Sequence, residues 1–231
     1  MKDGIVIKAM WLLLGGAAKA SLPILGVSDP QAFWKKSKKI YRREMNKLPE
    51  YGPNDVLKIN LAHAVMLSAV YEACDPKPDV DDMTNFYREL FLRQRILMAA
   101  IKRMDMLKAS EVRRQSEIGE RSQKATHPFT WQFTVDVEDE NRFTAVFTRC
   151  GIFDYLNSRG MAHIVPAMCA IDYLFGECSN HWFLRESTIA TGGVVCDCGY
   201  VSKRVATSEE IRRSKEDKKA EAIRGGRKEF Y

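Results

Sequence analysis

The chain has 231 residues, 45% of them hydrophobic and 29% charged, which suits one sizeable core or two small ones and excludes a wholly disordered or collagen-like chain. The net charge is +6, and residues 203–231 supply +4 of it, from ten Lys/Arg against six Asp/Glu. A basic end on a nearly neutral body argues against a nucleic-acid partner, and no apolar run approaches the ~20 residues that span a bilayer, so no membrane partner is expected either.

Residues 5–20 (Ile5, Val6, Met10, Trp11, Leu14) predict a short helix that stops at Gly15-Gly16 or soon after. Met1 to Ala20 imitates an export signal, with an apolar stretch and an Ala18-Lys19-Ala20 end, but Asp3 in the leader and Lys8 inside the apolar segment argue against that reading. Ser28-Asp29-Pro30 caps a second helix, carrying Phe33, Trp34, Ile40, Tyr41 and Met45 at helical spacing. Its outer face holds Lys35, Lys36, Lys38, Lys39, Arg42 and Arg43 and reads as a solvated face, the alternative being an anionic partner. Asn54 or Asp55 opens a third helix, apolar from Val56 to Val70, which ends before Pro76 and Pro78. A fourth starts at Asp79 to Asp82 and runs through Met98, with too many apolar residues for one stripe, so it is buried on more than one side. Lys108 to Lys124 is charged, helical at first and then a linker.

After Pro128 the period changes from 3.6 to 2. Trp131 to Val137 and Phe143 to Thr148 alternate apolar and polar around a turn at Glu138 to Asn141, a β-hairpin. Cys150 to Asn157 and Val165 to Phe175 read as helices. Phe183 to Ala190 and Val194 to Tyr200 read as a second hairpin turned at Thr191-Gly192-Gly193. From Ser208 the chain is charged, a solvated helix or a disordered tail. The fold class is therefore α+β: a helical N-terminal half packed on a small antiparallel sheet with two further helices in the C-terminal half. Residues 1–127 form the helical region and 128–203 a β-β-α-α-β-β region that carries the site, one continuous domain with the first. Residues 204–231 are a charged tail. A second subunit could pack on the apolar N-terminal helix.

Four of the six cysteines, Cys150, Cys169, Cys178 and Cys196, fall within 47 residues, and Cys198 is close behind. Such clustering reads as reduced thiols around a site in a cytoplasmic protein. No phosphate loop, nucleophile elbow or paired-His helix is present. Cys169 and Asp172 share a helix face, where a carboxylate beside a thiol could bind a substrate NH or act as a base; the alternative is a core thiol next to a surface acid. Arg185 suits a carboxylate ligand or a surface ion pair, and on a regular strand it faces away from Thr188. Cys196 and Cys198 point together and Asp197 away; two adjacent thiols serve as nucleophile and neighbour, as a metal pair, or as packing. His163 is a further polar residue just ahead of the Cys169 helix.

The ordered run Cys169-x-x-Asp172, Arg185-x-x-Thr188-x-Ala190-x-Gly192 and Cys196-Asp197, with Cys150 and Gly160 upstream, resembles the L-2-amino-thiazoline-4-carboxylic acid hydrolase family over about residues 145–200. Cys198 departs from it, standing where an aromatic, usually Phe, follows Cys-Asp in the family. The resemblance implies a ring-opening hydrolase that adds water across a carbon–nitrogen bond of a small heterocyclic carboxylate, without a cofactor or metal. It implies that Cys196, or Cys169, attacks the ring or shapes the pocket for water, with Asp172 on the amidine nitrogens. Arg185, Thr188 and His163 would bind substrate. The same end pattern is similar to vinyl-reductase-like sensor domains, which carry Glu-x-x-Cys and a further Cys eight residues on. Here those positions are Arg185, Thr188 and Cys196, and neither Arg nor Thr is a zinc ligand. A small-molecule-binding module, or an enzyme of this fold acting on another ring, is the alternative.

Overall fold

The computed structural model describes residues 5–225, with side chains described for residues 11–216. Nine α-helices and a four-stranded antiparallel sheet make up the described residues, an α+β fold as the two periodicities predict. Helix α1 (Ile5–Ser21) runs through the Gly15-Gly16 pair rather than stopping there. Burial of Trp11, Leu14 and Ala18 carries it past the weak spot, and Trp11 stacks on Trp34 of α2 (Pro30–Lys47) at 4.3 Å. Asp29 caps α2 as expected, its carboxylate accepting from the Gln31 and Ala32 amides at 3.1 Å each.

Asp55 does not open α3 (Lys58–Ala73). Its carboxylate instead accepts from the amides of Gly52, Thr126 and His127, which ties the entry of α3 to the segment before the sheet. Ten of the sixteen residues of α3 are buried, so this helix is the centre of the helical layer. The long fourth helix of the sequence reading is two, α4 (Val80–Leu92) and α5 (Arg95–Arg103). Gln94, at ψ 77°, leaves the helical region and breaks the ladder between them. α6 (Ala109–Ser122) then leads to the sheet.

Strands β1 (Gln132–Asp139) and β2 (Arg142–Arg149) form the first hairpin. α7 (Gly151–Asn157) and α8 (Val165–Cys178) follow, and β3 (His181–Leu184) and β4 (Cys196–Ser202) complete the sheet in the order β1-β2-β4-β3. In that register Phe143 and Phe183 flank Tyr200, Ala145 lies opposite Cys198, and Phe147 lies opposite Cys196. One face of the sheet is thus a row of rings running into two thiols. α8 lies against β3, and closely: a Cβ on Gly176 would meet the Phe183 Cβ and amide at 3.1 Å, so only glycine lets the helix this near. Arg159, just after α7, bonds Ser68, Tyr155 and Glu72 and fastens this half to α3.

The second hairpin differs from the sequence reading in its turn. β3 ends at Leu184, and residues 185–195 form a loop containing a 3-10 turn at Ile189–Thr191, closed by Gly192 at φ 91°. Helix α9 (Ser208–Gly225) exists as expected, but its first turns are docked rather than solvated. Ser214 is buried, Glu210 bonds Arg142 at 3.2 Å, and Arg213 bonds Glu186 at 2.5 Å. No single helix among the described residues is long and apolar enough to cross a membrane.

Candidate active site

Period-2 alternation on β4 sends Cys196 and Cys198 to the same buried face, as read from the sequence. What the strand rule misses is Arg185. Because β3 has already ended, Arg185 and Thr188 escape alternation, and both are buried. The Arg185 guanidinium runs beneath α8. Its Nη2 donates to Asp172 Oδ2 at 2.6 Å and to Cys198 Sγ at 3.3 Å, and its Nη1 donates to the Cys169 carbonyl at 3.4 Å. Phe183 and Tyr173 present their ring faces to it, with centroids 4.6 and 5.9 Å from the guanidinium carbon. Those two rings were not among the residues singled out in the sequence, although the alternation of β3 does turn Phe183 inward.

The ion pair is lopsided. The Arg185 side chain is 4% exposed and that of Asp172 37%, so a buried cation holds a carboxylate that still faces outward. Cys198 Sγ is a hydrogen-bond acceptor of the same guanidinium.

A second group adjoins the first through β4. Cys196 Sγ receives the Ile189 amide at 3.2 Å and lies 3.4 Å from the Thr188 hydroxyl. Thr188 caps the 3-10 turn, its Oγ1 accepting from the Ala190 amide at 3.3 Å. Burial pushes Cys198 up to about 12, Arg185 opposing, and burial with Cys196 nearby pushes Cys150 up to about 12. The loop leaves no slack here: a Cβ on Gly193 would lie 2.3 Å from Ser187 Oγ and 2.8 Å from the Thr188 carbonyl.

Of the residues predicted from sequence, the structure therefore brings Asp172, Arg185, Thr188 and Cys196 to the space between α8 and the sheet. Cys169 joins them through its backbone carbonyl. His163, in the turn before α8, hydrogen-bonds the Tyr71 hydroxyl of α3 at 2.8 Å, and burial lowers it from the usual imidazole range, toward the neutral ring. Among the described residues no three His, Cys, Asp or Glu side chains converge as metal ligands do. A groove of about 240 Å³ opens on the other side of the sheet, lined by Arg142, Thr144, Glu186, Asp197, Glu210 and Arg213 and bordered also by Arg185. It is not where the thiols point, and its Arg142 and Arg213 are already paired with Glu210 and Glu186.

The fold is thus α+β, with two thiols and a guanidinium buried between the sheet and α8 and a carboxylate paired to the guanidinium from the outer side. The chain belongs to the L-2-amino-thiazoline-4-carboxylic acid hydrolase family, whose model matches residues 59–200, more than half its length and all of the elements from α3 to Tyr200 of β4. No curated protein and no solved structure matches it.

Proposed function

We propose that the protein is a hydrolase that opens the ring of a small heterocyclic carboxylate of the cyclic amidine type, with Cys196 as nucleophile. Membership of the family supports the reaction class. The observation that supports the assignment to Cys196 is the setting of its sulfur, which accepts from the Ile189 amide and lies within hydrogen-bond distance of the Thr188 hydroxyl.

The chemistry balances as follows for 2-amino-thiazoline-4-carboxylate. The Cys196 sulfur bonds to the amidine carbon, the ring carbon–nitrogen bond breaks, and the thiol proton ends on the departing ring nitrogen. The product so far is an imidodithiocarbonate joined to the enzyme. Water then adds to the same carbon, the bond to Cys196 breaks, and the thiol regains its proton as a carbamoyl-cysteine leaves. Asp172 accepts hydrogen bonds from the amidine nitrogens and holds the substrate's orientation. Arg185 holds Asp172 in place, and its charge favours the substrate carboxylate. This division of labour differs from a direct Arg185 grip, because Asp172 already occupies Nη2. Thr188 and the Ile189 amide stabilise charge on sulfur in both halves of the reaction. Cys169 and His163 shape the surroundings of α8.

Purified protein incubated with L-2-amino-thiazoline-4-carboxylate and related cyclic amidines, followed by mass spectrometry of the small molecules, tests the reading. Gain of one water is the expected result. A panel that comes back unchanged, while the same compounds raise the melting temperature, would replace the enzyme by a binding module.

A further inference from the structure

The geometry points to Asp197 as a positioning residue that sets the Cys196 site from the opposite face of β4. Asp197 touches neither the thiol nor Asp172. Its Oδ1 accepts from two consecutive amides of the loop, Glu186 at 3.0 Å and Ser187 at 2.7 Å, and its own amide donates to the Ser187 carbonyl at 3.3 Å. These are the two residues between Arg185 and Thr188. One carboxylate oxygen therefore fixes where the chain leaves Arg185 on one side and enters Thr188 on the other.

The rest of the loop is stitched to the same point. Ser187 Oγ donates to the Val195 carbonyl at 2.9 Å, and the Gly193 amide donates to the Thr188 carbonyl at 2.9 Å. With Gly193 filling the remaining space, the Ile189 amide is held 3.2 Å from Cys196 Sγ. Alternation on the strand makes this a lever: Cys196 and Asp197 are neighbours in the chain that face opposite ways, so the residue next to the nucleophile grips the loop that supplies the nucleophile's donors. Removing the carboxylate leaves the two loop amides to water and lets the donors drift from the sulfur.

The inference rests on the reading of Cys196 as the reacting thiol, but its main readout needs no substrate. In the full-length protein, the rate at which iodoacetamide labels each cysteine is followed by peptide mass spectrometry for wild type, Asp197→Ala, Asp197→Asn and the distant surface variant Asp136→Asn. Asp197→Ala is expected to raise labelling of Cys196 about tenfold, because losing a charge-assisted contact makes the loop that buries this thiol open more often and access outweighs the loss of the sulfur's partners, while Cys74 in α3's C-cap labels at the wild-type rate. Asp197→Asn, which keeps an accepting oxygen, should recover most of the protection, and Asp136→Asn should match wild type. If Asp197→Ala labels Cys196 no faster than wild type, or accelerates Cys74 equally through general loosening, the positioning role is wrong. Where turnover is observed, Asp197→Ala lowers kcat more than it raises KM. Absence of turnover in wild type refutes the proposed reaction and leaves the labelling comparison to decide this role.

Discussion

Replacing Asp172 by Asn tests the central pair without changing its shape. The Arg185 side chain is 4% exposed, so the substitution strands a cation that water barely reaches. Breaking a fully buried pair costs about 3–5 kcal/mol, and breaking a surface pair about 0–1 kcal/mol. This pair lies between them. Asp172 itself is 37% exposed, and after its loss the guanidinium keeps the Cys169 carbonyl, the Cys198 sulfur and the Phe183 and Tyr173 ring faces. We therefore expect a loss of about 2 kcal/mol, discounted for the wet carboxylate. In a chain of this size that corresponds to a fall in Tm of about 4–8 °C. Differential scanning calorimetry at pH 7 reads it, with Glu209→Gln, which removes an exposed partner of Arg212, as the unshifted control. An Asp172→Asn protein melting within about 1 °C of wild type would show that Arg185 does not depend on Asp172, and the electrostatic account of the site would fall.

Acid should destabilise the protein through two histidines. Burial lowers both His63 and His181 to about 4, so the folded state stays unprotonated where the unfolded chain, at about 6.5, binds protons. The unfolded state then holds more protons, and stability is lost as pH falls from about 6.5 to about 4. Urea midpoints measured across that window should decline, and His63→Gln should flatten the decline; an unchanged slope would argue against a neutral buried His63. Gly193→Ala forces a Cβ to within 2.8 Å of the Thr188 carbonyl and should cost about 1–3 kcal/mol in chemical denaturation, whereas a neutral result would mean the loop has room to spare. Deleting residues 208–231 removes the Glu210 and Arg213 ion pairs and uncovers Trp182, over which Lys215 lies at 5.9 Å. We expect a lower Tm with turnover reduced rather than abolished, and a truncated chain that melts like the full one would make α9 the solvated tail first expected from its composition.

The fold was legible wherever one periodicity dominated. The alternation of Trp131 to Val137 and Phe143 to Thr148 predicted β1 and β2, and Asp29-Pro30 marked the start of α2, because those signals act within a few residues. Boundaries set by long-range contacts were not legible. The first helix, expected over residues 5–20 with a stop at Gly15-Gly16 or soon after, takes the later end at Ser21, because Trp11 and Leu14 are buried against other elements. Asp55 reads as a cap, yet its Oδ1 accepts from the amides of Thr126 and His127, some seventy residues away. At the site, strand alternation paired Cys196 with Cys198 correctly and misjudged Arg185 and Thr188, which were read as strand residues facing opposite ways. Their burial on one side follows from β3 ending at Leu184, a boundary with no marker in the local sequence. The role of Asp197 was hidden for the same reason, since its partners are loop amides with no side-chain signature.

The most direct test of the account is turnover of L-2-amino-thiazoline-4-carboxylate by wild type and by Cys196→Ala, read as product mass, with circular dichroism confirming that both are folded. Wild type should add one water and Cys196→Ala should add none. Turnover by Cys196→Ala at the wild-type rate would contradict the assignment of the nucleophile.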